Sequence, residues 1–138
     1  MESAVAVPPQ EHLEQATILG VPVHRVRMEQ ALRTIEQLIA TRTPHLVITA
    51  DANAILIALD DPEFRQLMTE AALVTPDGAG LLWAGRYSGQ PFPERVSGVD
   101  LVWHLTRLSH ERGYRLFFVG AAPGVAERAR ENLLRQFP

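Results

Sequence analysis

The sequence predicts an α/β fold, namely a Rossmann-like, mainly parallel sheet with helices on both faces and an N-terminal β-hairpin. Short β-branched apolar runs alternate along the chain with stretches in which apolar residues recur at every third or fourth position. Such alternation of strand and amphipathic-helix patterns is typical of a parallel sheet covered by helices. Two of the apolar runs also end in polar residues and lead directly into a helix, as strands do at the ligand-binding edge of these sheets.

The individual elements follow from this pattern. Residues 17–26 predict a short hairpin, because Gly20 and Pro22 suit its turn or its edge. Further strands are predicted over 45–49, 72–75 and 114–119, and helices over 28–41, 52–59, 62–70, 78–86, 99–112 and from 124 or 125 to 137. An irregular loop is predicted over 87–97. Residues 1–16 are polar and contain two prolines, which predicts a flexible tail before one α/β domain at 17–138.

Composition excludes several classes of function. The chain has 138 residues, 46% of them hydrophobic and 21% charged, which is ordinary for one folded domain. Its net charge of −3 and the lack of a basic block argue against nucleic-acid binding. It has neither cysteine nor lysine, which excludes disulfides, thiolate nucleophiles and Schiff-base chemistry. Any phosphate recognition would therefore rely on arginine. No apolar run is long enough to cross a membrane, and the first residues lack a secretion signal.

Two strand ends carry short polar side chains. Thr49 and Asp51 follow the apolar run at 46–48, and Asp77 and Gly78 follow the run at 72–75. Because the carboxyl ends of parallel strands lie at one edge of a sheet, we expect these residues to line a common site. An aspartate before a helix is, however, more often only an N-cap, and that alternative remains open here.

A second candidate is the loop arginine Arg95, which lies between Pro93 and Gly98. Charged residues in ordered loops often carry function. The alternative is a surface arginine paired with Glu94 or Asp100, which would contribute little to stability.

The third candidate is a small-residue turn between a predicted strand and a predicted helix. Gly120, Ala121 and Gly124 would let a ligand approach the backbone, and the helix N-terminus favours an anion such as a diphosphate. The turn does not have the dinucleotide-binding spacing of glycines, and a tight turn needs glycine for conformational reasons alone.

Metal ions and cofactors are not predicted. The histidines have no metal-ligand spacing, and the strand-end carboxylates Asp51 and Asp77 are not part of a DxD pair. Trp83 and Trp103 are expected in the core rather than on a stacking surface.

Six ordered segments of the chain together resemble the WecG/TagA/CpsF family of bacterial glycosyltransferases. They are ILGV at 18–21, TAD at 49–51, DDPEF at 60–64, TPDG at 75–78, PERVSGVDL at 93–101 and FVGAAPGVAE at 118–127. The resemblance implies an inverting transfer of a sugar, of the N-acetylmannosamine type or a related hexose, from a UDP-sugar to a polyprenyl-diphosphate-linked sugar. It also implies a role in teichoic acid or other cell-surface polysaccharide synthesis.

The resemblance also implies residue roles. Asp77 corresponds to the family's proposed general base, and Arg95 to an arginine that steadies the diphosphate leaving group. Thr49 corresponds to a pocket threonine, and Gly78 belongs to the same motif as Asp77. Asp51 stands where many members have asparagine, and a carboxylate cannot donate a hydrogen bond as the amide does.

The turn at 120–124 is expected to bind the nucleotide. Ala121 stands in it where a second glycine is common, a mild change that still permits a tight loop.

The family pattern continues beyond the last residue of this chain. Members carry further strands, a glutamine-bearing motif and a basic C-terminal appendage that reaches the membrane, which implies a peripheral location at the inner face of the plasma membrane. The chain is therefore expected to be a truncated domain with a possible tendency to form homo-oligomers. Two alternatives remain, namely a nucleotide-sugar binding module without turnover and a small α/β interaction protein whose polar strand ends are only caps.

Overall fold

The computed structural model describes residues 12–138. Most of the predicted tail lies outside the described residues, and strand β1 (Gln15–Ile18) begins just before the predicted hairpin. It pairs antiparallel with β2 (Val21–His24), so the hairpin is confirmed. Leu19 and Gly20 form its turn with φ of 50° and 79°, and two successive positive φ values match the twist of a hairpin.

The two strands with polar ends pair in parallel, as predicted. β3 (Val47–Ala50) and β4 (Leu73–Pro76) are in register from Val47 opposite Leu73 to Ala50 opposite Pro76. Both strands therefore end at the same level, and the residues that follow them emerge at one edge.

The predicted helices are all present, and their ends differ from the prediction by at most one residue. They are α1 (Met28–Ala40), α2 (Ala52–Asp60), α3 (Pro62–Glu70), α4 (Ala79–Tyr87), α5 (Gly98–Arg112) and α6 (Val125–Gln136). Asp61 separates α2 from α3, since its Oδ1 accepts hydrogen bonds from the N–H groups of Glu63 and Phe64, both 3.0 Å away. Pro62 follows at the first position of α3, where proline needs no hydrogen-bond partner.

One apolar core joins the hairpin to the parallel pair. It includes Ile18 and Val23 from the hairpin, Val74 from β4, Met68 from α3 and Leu81 from α4. The alternating burial along β1 places its inward side chains in this core and leaves the other face exposed.

At the open edges of both sheets, side chains form hydrogen bonds with backbone N–H and C=O groups. Gln90 accepts a hydrogen bond from the N–H of Thr17 at 3.0 Å and donates one to its carbonyl oxygen at 3.4 Å. The buried His24 accepts from the N–H of Val74 through Nδ1, at 2.9 Å. Edge strands that are covered in this way are protected from pairing with other chains.

The strand predicted over 114–119 is absent from the structure. The segment forms no ladder with any described residue, and Phe117 and Val119 are each 90% exposed. A strand needs a neighbour to pair its N–H and C=O groups, and none is aligned with this segment. Among residues 12–138 the sheets are therefore one antiparallel and one parallel pair, not one larger parallel sheet.

The prediction of two core tryptophans is also wrong. Both Trp83 and Trp103 are exposed. Trp83 stacks on Tyr87 one turn further along α4, and Trp103 contacts Phe137 edge-on. Apolar spacing on a helix indicates which face is apolar, but it does not show whether that face is covered.

The chain divides into two compact units, one ending at Gly98 and the other comprising Val99–Pro138. Each unit is described by itself below. No helix within residues 12–138 is both long and apolar enough to span a membrane.

Candidate active site

Asp51 is the N-cap of α2. Its Oδ1 accepts a hydrogen bond from the N–H of Ala54 at 2.8 Å, while its own backbone is extended. The capping alternative is therefore correct for this residue. The side chain is nevertheless exposed at the edge where β3 ends, so a ligand can reach it.

Asp77 does not cap the helix that follows it. Gly78, with a φ of 88°, is the N-cap of α4, and it provides no side chain for capping. The Asp77 side chain instead extends to the start of α5, where its Oδ2 accepts a hydrogen bond from the N–H of Gly98 at 3.1 Å. Within residues 12–138 no donor contacts its other oxygen, Oδ1, and the residue is half-buried. One carboxylate oxygen is thus held by the protein, and the other is available for a reacting group.

Thr49 and Gly78 lie beside these two carboxylates. A methyl group added to Gly98 would lie only 3.0 Å from Thr49 Oγ1, so the start of α5 rests on the threonine side chain. A methyl group added to Gly78 would lie 3.9 Å from the Cβ of Asp51. Thr49, Asp51, Asp77 and Gly78 therefore form one cluster, as the alignment of the two strands predicts.

The loop that carries Arg95 is anchored to the end of β4. The N–H of Val96 donates to the carbonyl oxygen of Pro76 at 2.8 Å, and the buried Thr75 hydroxyl donates to the carbonyl oxygen of Val96 at 3.1 Å. Together with the hydrogen bond from the Gly98 N–H to Asp77, these contacts attach the loop over 95–98 to the last residues of β4 and to Asp77. Arg95 itself is exposed, so its guanidinium faces solvent from an anchored backbone.

The side chain of Glu94 contacts the beginning of α1. Its Oε2 accepts a hydrogen bond from the N–H of Met28 at 3.2 Å, at the beginning of α1. A carboxylate is favourable at a helix N-terminus, and this contact anchors the same loop at its other end. The contact shows that Glu94 has a role apart from Arg95, and the alternative of a surface arginine paired with Glu94 or Asp100 stays open.

The small-residue turn belongs to the second unit. Gly120, Ala121 and Gly124 have φ values of 114°, 63° and 83°, and Gly124 is the N-cap of α6. Three positive φ values within five residues explain why the turn consists of small side chains. Ala121 adopts a conformation that costs a residue with a Cβ about 1 kcal/mol or more.

Sequence-based reasoning does not identify two residues whose contacts hold this cluster together. Gly98 holds Asp77 and packs on Thr49, and Thr75 anchors the arginine loop through a buried hydroxyl. The signal for Gly98 is a glycine at the first position of a helix, where a residue with a side chain is the usual choice. Thr75 gives no local signal, because a threonine inside a strand is ordinary.

No group of three or more histidines or carboxylates within residues 12–138 has the geometry of a metal site. Chemically, the cluster offers a half-buried carboxylate, a neighbouring hydroxyl side chain and an exposed guanidinium on an anchored loop. Such a set can accept a proton, bind hydroxyl groups and bind an oxyanion.

The family described as "Glycosyl transferase WecG/TagA/CpsF family" matches residues 16–138. The chain belongs to this family. The resemblance noted from the sequence motifs is thereby confirmed over nearly the whole chain.

Individual relatives carry one enzyme name, N-acetylglucosaminyldiphosphoundecaprenol N-acetyl-beta-D-mannosaminyltransferase. One from Bacillus spizizenii is 29% identical over 92 residues, which cover 67% of this chain and 36% of the relative. Those from Staphylococcus aureus strains NCTC 8325 and COL are 25% identical over 123 residues, or 88% of this chain and 48% of the relative. The chain thus spans less than half the length of these relatives.

Proposed function

We propose that this chain is the substrate-binding part of an inverting glycosyltransferase. The transferred sugar is of the N-acetylmannosamine type or a related hexose, the donor is a UDP-sugar, and the acceptor is a sugar linked to a polyprenyl diphosphate. The observation that carries the proposal is the cluster of Thr49, Asp51 and Asp77 at two level strand ends, next to an anchored arginine loop. Family membership and the acceptor named for the relatives support the same chemistry.

Asp77 is the general base of the proposed reaction. Its Oδ1 takes the proton from the acceptor hydroxyl as that oxygen attacks the anomeric carbon and the bond from this carbon to the UDP oxygen breaks. The Gly98 N–H holds Oδ2 and keeps the carboxylate in place. Thr49, Asp51 and Gly78 line the sugar site, where the side chains of Thr49 and Asp51 accept hydrogen bonds from sugar hydroxyl groups.

The departing UDP gains negative charge on its diphosphate. In the proposed site Arg95 stabilises this charge through charge-assisted hydrogen bonds. The turn formed by Gly120, Ala121 and Gly124 binds the nucleotide through its backbone N–H groups at the start of α6. These assignments require no cofactor.

The proposed transfer also requires no divalent metal ion. Asp51 and Asp77 are not part of a DxD pair, and within residues 12–138 they do not belong to a group of three or more possible metal ligands. Activity retained in EDTA would agree with this proposal, whereas strict dependence on Mn²⁺ would contradict it.

The setting of the enzyme follows from its proposed acceptor. We place residues 17–138 in one Rossmann-like, mainly parallel α/β domain, which the parallel β3–β4 pair supports. Because an acceptor of this kind lies at the membrane surface, the proposed location of the protein is the inner face of the bacterial plasma membrane. There it would contribute, as a homo-oligomer, to teichoic acid or other cell-surface polysaccharide synthesis.

A nucleotide-sugar binding module without turnover is the second candidate. The observation that favours it is the share of the relatives' length that this chain covers, since residues needed for turnover can lie in the remainder. An assay of UDP release in the presence of a lipid-linked acceptor separates the two candidates.

UDP binding is the direct test of the nucleotide site that both candidates share. We expect calorimetry or ligand-observed NMR to detect UDP binding to the folded chain at millimolar concentration or below. Arg95→Ala should weaken this binding, because the guanidinium contacts the diphosphate. Arg42→Ala, which removes an exposed arginine at the end of α1, is the matched control. A folded chain that binds no UDP at millimolar concentration would refute the nucleotide site.

A further inference from the structure

Gly98, the first residue of α5, does not need to be glycine for its backbone conformation. Its φ is not positive, unlike that of Gly78 before α4. Space is the constraint instead, because a methyl group added to Gly98 would lie 3.0 Å from the Oγ1 of Thr49 and 3.6 Å from both its Cβ and its Cγ2. The close contact with the Thr49 side chain therefore leaves no room for a side chain at position 98.

The register of the parallel strands explains why Thr49 reaches this position. Thr49 of β3 lies directly opposite Thr75 of β4, and opposite residues of neighbouring strands point to the same face of a sheet. On this face Thr75 donates its hydrogen bond to the carbonyl oxygen of Val96 at 3.1 Å, and Thr49 packs against Gly98 two residues later. The two threonines thus support the segment 96–98 at both of its ends.

The supported segment in turn holds the carboxylate of Asp77. The N–H of Gly98 donates to Asp77 Oδ2 at 3.1 Å, and this is the contact that fixes the carboxylate within residues 12–138. Val96 and Ser97, which precede Gly98, are buried, so the segment is packed and cannot move freely. The position of the carboxylate therefore depends on the position of Gly98, and the position of Gly98 depends on the Thr49 side chain.

We propose that Thr49 is a positioning residue for Asp77 and acts through Gly98. The inference rests on the proposed function, in which Asp77 is the general base. It adds a second role to the hydrogen bond that Thr49 offers to a sugar hydroxyl group. The sugar contact needs the lone pairs of the hydroxyl oxygen, whereas the positioning role needs only the volume of the side chain. The two roles can therefore be separated by substitutions that remove one property and keep the other.

Positioning of a general base acts on the chemical step. The base must lie within hydrogen-bond reach of the acceptor hydroxyl, and a misplacement of about 1 Å can slow a reaction by roughly 10²-fold. Loss of a contact that binds substrate and transition state equally instead raises KM and leaves kcat unchanged. The positioning role should thus appear in kcat, and the sugar contact of Thr49 should appear in KM.

A complementary pair of substitutions tests the contact, with sugar transfer measured in the protein that carries this domain. Gly98→Ala should lower kcat by about tenfold or more, because the added methyl group moves the N–H away from Asp77 Oδ2. Thr49→Ala should lower kcat as well, because Gly98 loses its support. The double variant Gly98→Ala/Thr49→Ala returns at position 98 part of the volume lost at position 49. It should recover most of the kcat that Gly98→Ala loses, while KM stays raised.

Gly80→Ala is the matched control for the added methyl group. This methyl group would lie 3.4 Å from the Cβ of Ala52, which is an ordinary van der Waals distance, and Gly80 does not contact Asp77. Its kcat should equal that of the wild type. Thr49→Val is the control for the hydroxyl, because it keeps the shape of the side chain and removes the hydrogen-bonding oxygen. It should raise KM and keep kcat near the wild-type value.

Circular dichroism establishes that each variant is folded before its kinetics are compared. A wild-type kcat in Gly98→Ala, or a double variant no faster than Gly98→Ala, would overturn the proposal. If Gly98→Ala does not fold, the comparison of Thr49→Ala with Thr49→Val decides. A loss of kcat confined to Thr49→Ala would support the positioning role, and equal kcat values in the two variants would overturn it. A wild-type protein that transfers no sugar would refute the proposed function itself, whereas transfer with an unfavourable variant pattern would refute only the role of Thr49.

Discussion

Asp51 and Asp77 have the same residue type and the same position after a strand, yet they form different contacts. Asp51 accepts from the N–H of Ala54 in its own helix, whereas Asp77 accepts from the N–H of Gly98 at the start of a helix later in the chain. The sequence could predict that both carboxylates lie at one edge of the sheet, because strand ends are local features. It could not predict the contact with Gly98, which depends on how the loop over 93–98 folds back.

The capping role of Asp51 leads to a stability prediction. Asp51→Ala should lower the free energy of unfolding by about 1 kcal/mol, because the N–H of Ala54 loses its acceptor, whereas Asp51→Asn should retain most of the stability. Chemical denaturation monitored by circular dichroism measures both. Asp60→Ala, at the opposite end of the same helix, is the control and should not destabilise, since a carboxylate near a helix C-terminus is unfavourable. Equal losses for Asp51→Ala and Asp51→Asn would argue against the cap.

The buried His24 leads to a prediction of pH-dependent stability. Burial lowers the pKa of the imidazole below its ordinary value of 6.5, since desolvation disfavours the charged form. Below about pH 6.5 the unfolded chain therefore binds a proton that the native state does not, and stability falls as the pH decreases. Protonation of Nδ1 would also remove the acceptor for the N–H of Val74.

The corresponding variant is His24→Asn, whose amide oxygen can replace Nδ1 as the acceptor. We expect its stability to depend less on pH between 7 and 5 than that of the wild type, as measured by urea denaturation at each pH. His45→Asn, the same substitution at an exposed histidine, should leave the dependence of stability on pH as it is in the wild type. An unchanged slope in His24→Asn would show that His24 is not the group responsible.

At the scale of elements, the loop over 93–98 connects several parts of the first unit. Glu94 contacts the start of α1, Val96 pairs with the end of β4, and Gly98 begins α5. The sequence indicated an ordered loop with an important arginine. Its anchoring by the buried Thr75 hydroxyl is a long-range contact that local patterns do not encode.

This anchoring can be tested with Thr75→Val, which keeps the shape of the side chain and removes the hydroxyl. The carbonyl oxygen of Val96 then loses a buried donor, so we expect a loss of about 1 to 2 kcal/mol in the free energy of unfolding. UDP affinity should also decrease as Arg95 loses its fixed position. Thr106→Val, which removes an exposed hydroxyl bonded to Val102, should change neither quantity. Wild-type stability in Thr75→Val would refute the anchoring role.

The segment 114–119 shows where prediction of an element from the sequence fails. Its composition favours a strand, and this preference is a local property. Formation of a strand also requires a partner that is aligned with it, which only the tertiary structure provides. The helices were predicted more accurately, because their hydrogen bonds lie within the segment that carries the pattern.

At the scale of the whole molecule, the exposed apolar side chains of the second unit predict self-association. Phe117 and Val119 are almost fully exposed, and a cavity of about 440 Å³ is lined by Leu116, Phe118, Leu133 and other residues of this unit. Apolar surfaces of this kind favour association. We expect sedimentation velocity to show oligomers, and Phe117→Ser/Val119→Ser to shift the population towards monomer. A wild-type chain that is monomeric at all concentrations would contradict this expectation.

The family and the strand-end cluster could be predicted from the sequence, because each motif is short and the motifs occur in a fixed order. The exposure of Trp83 and Tyr87 could not be predicted, because a helix pattern does not show which apolar faces find a partner. The contacts that organise the cluster, from Gly98 and Thr75, join segments far apart in the sequence.

The most direct test of the central claim is sugar transfer by the protein that carries this domain, from UDP-N-acetylmannosamine to a polyprenyl-diphosphate-linked N-acetylglucosamine. Asp77→Asn should remain folded, because its amide oxygen can still accept a hydrogen bond from the N–H of Gly98. Its transfer rate should fall by about 10²-fold or more, because the general base is lost. Asp61→Asn changes a carboxylate that only caps α3, and it should transfer at nearly the wild-type rate. A rate for Asp77→Asn close to that of the wild type would contradict the account and remove Asp77 from the mechanism.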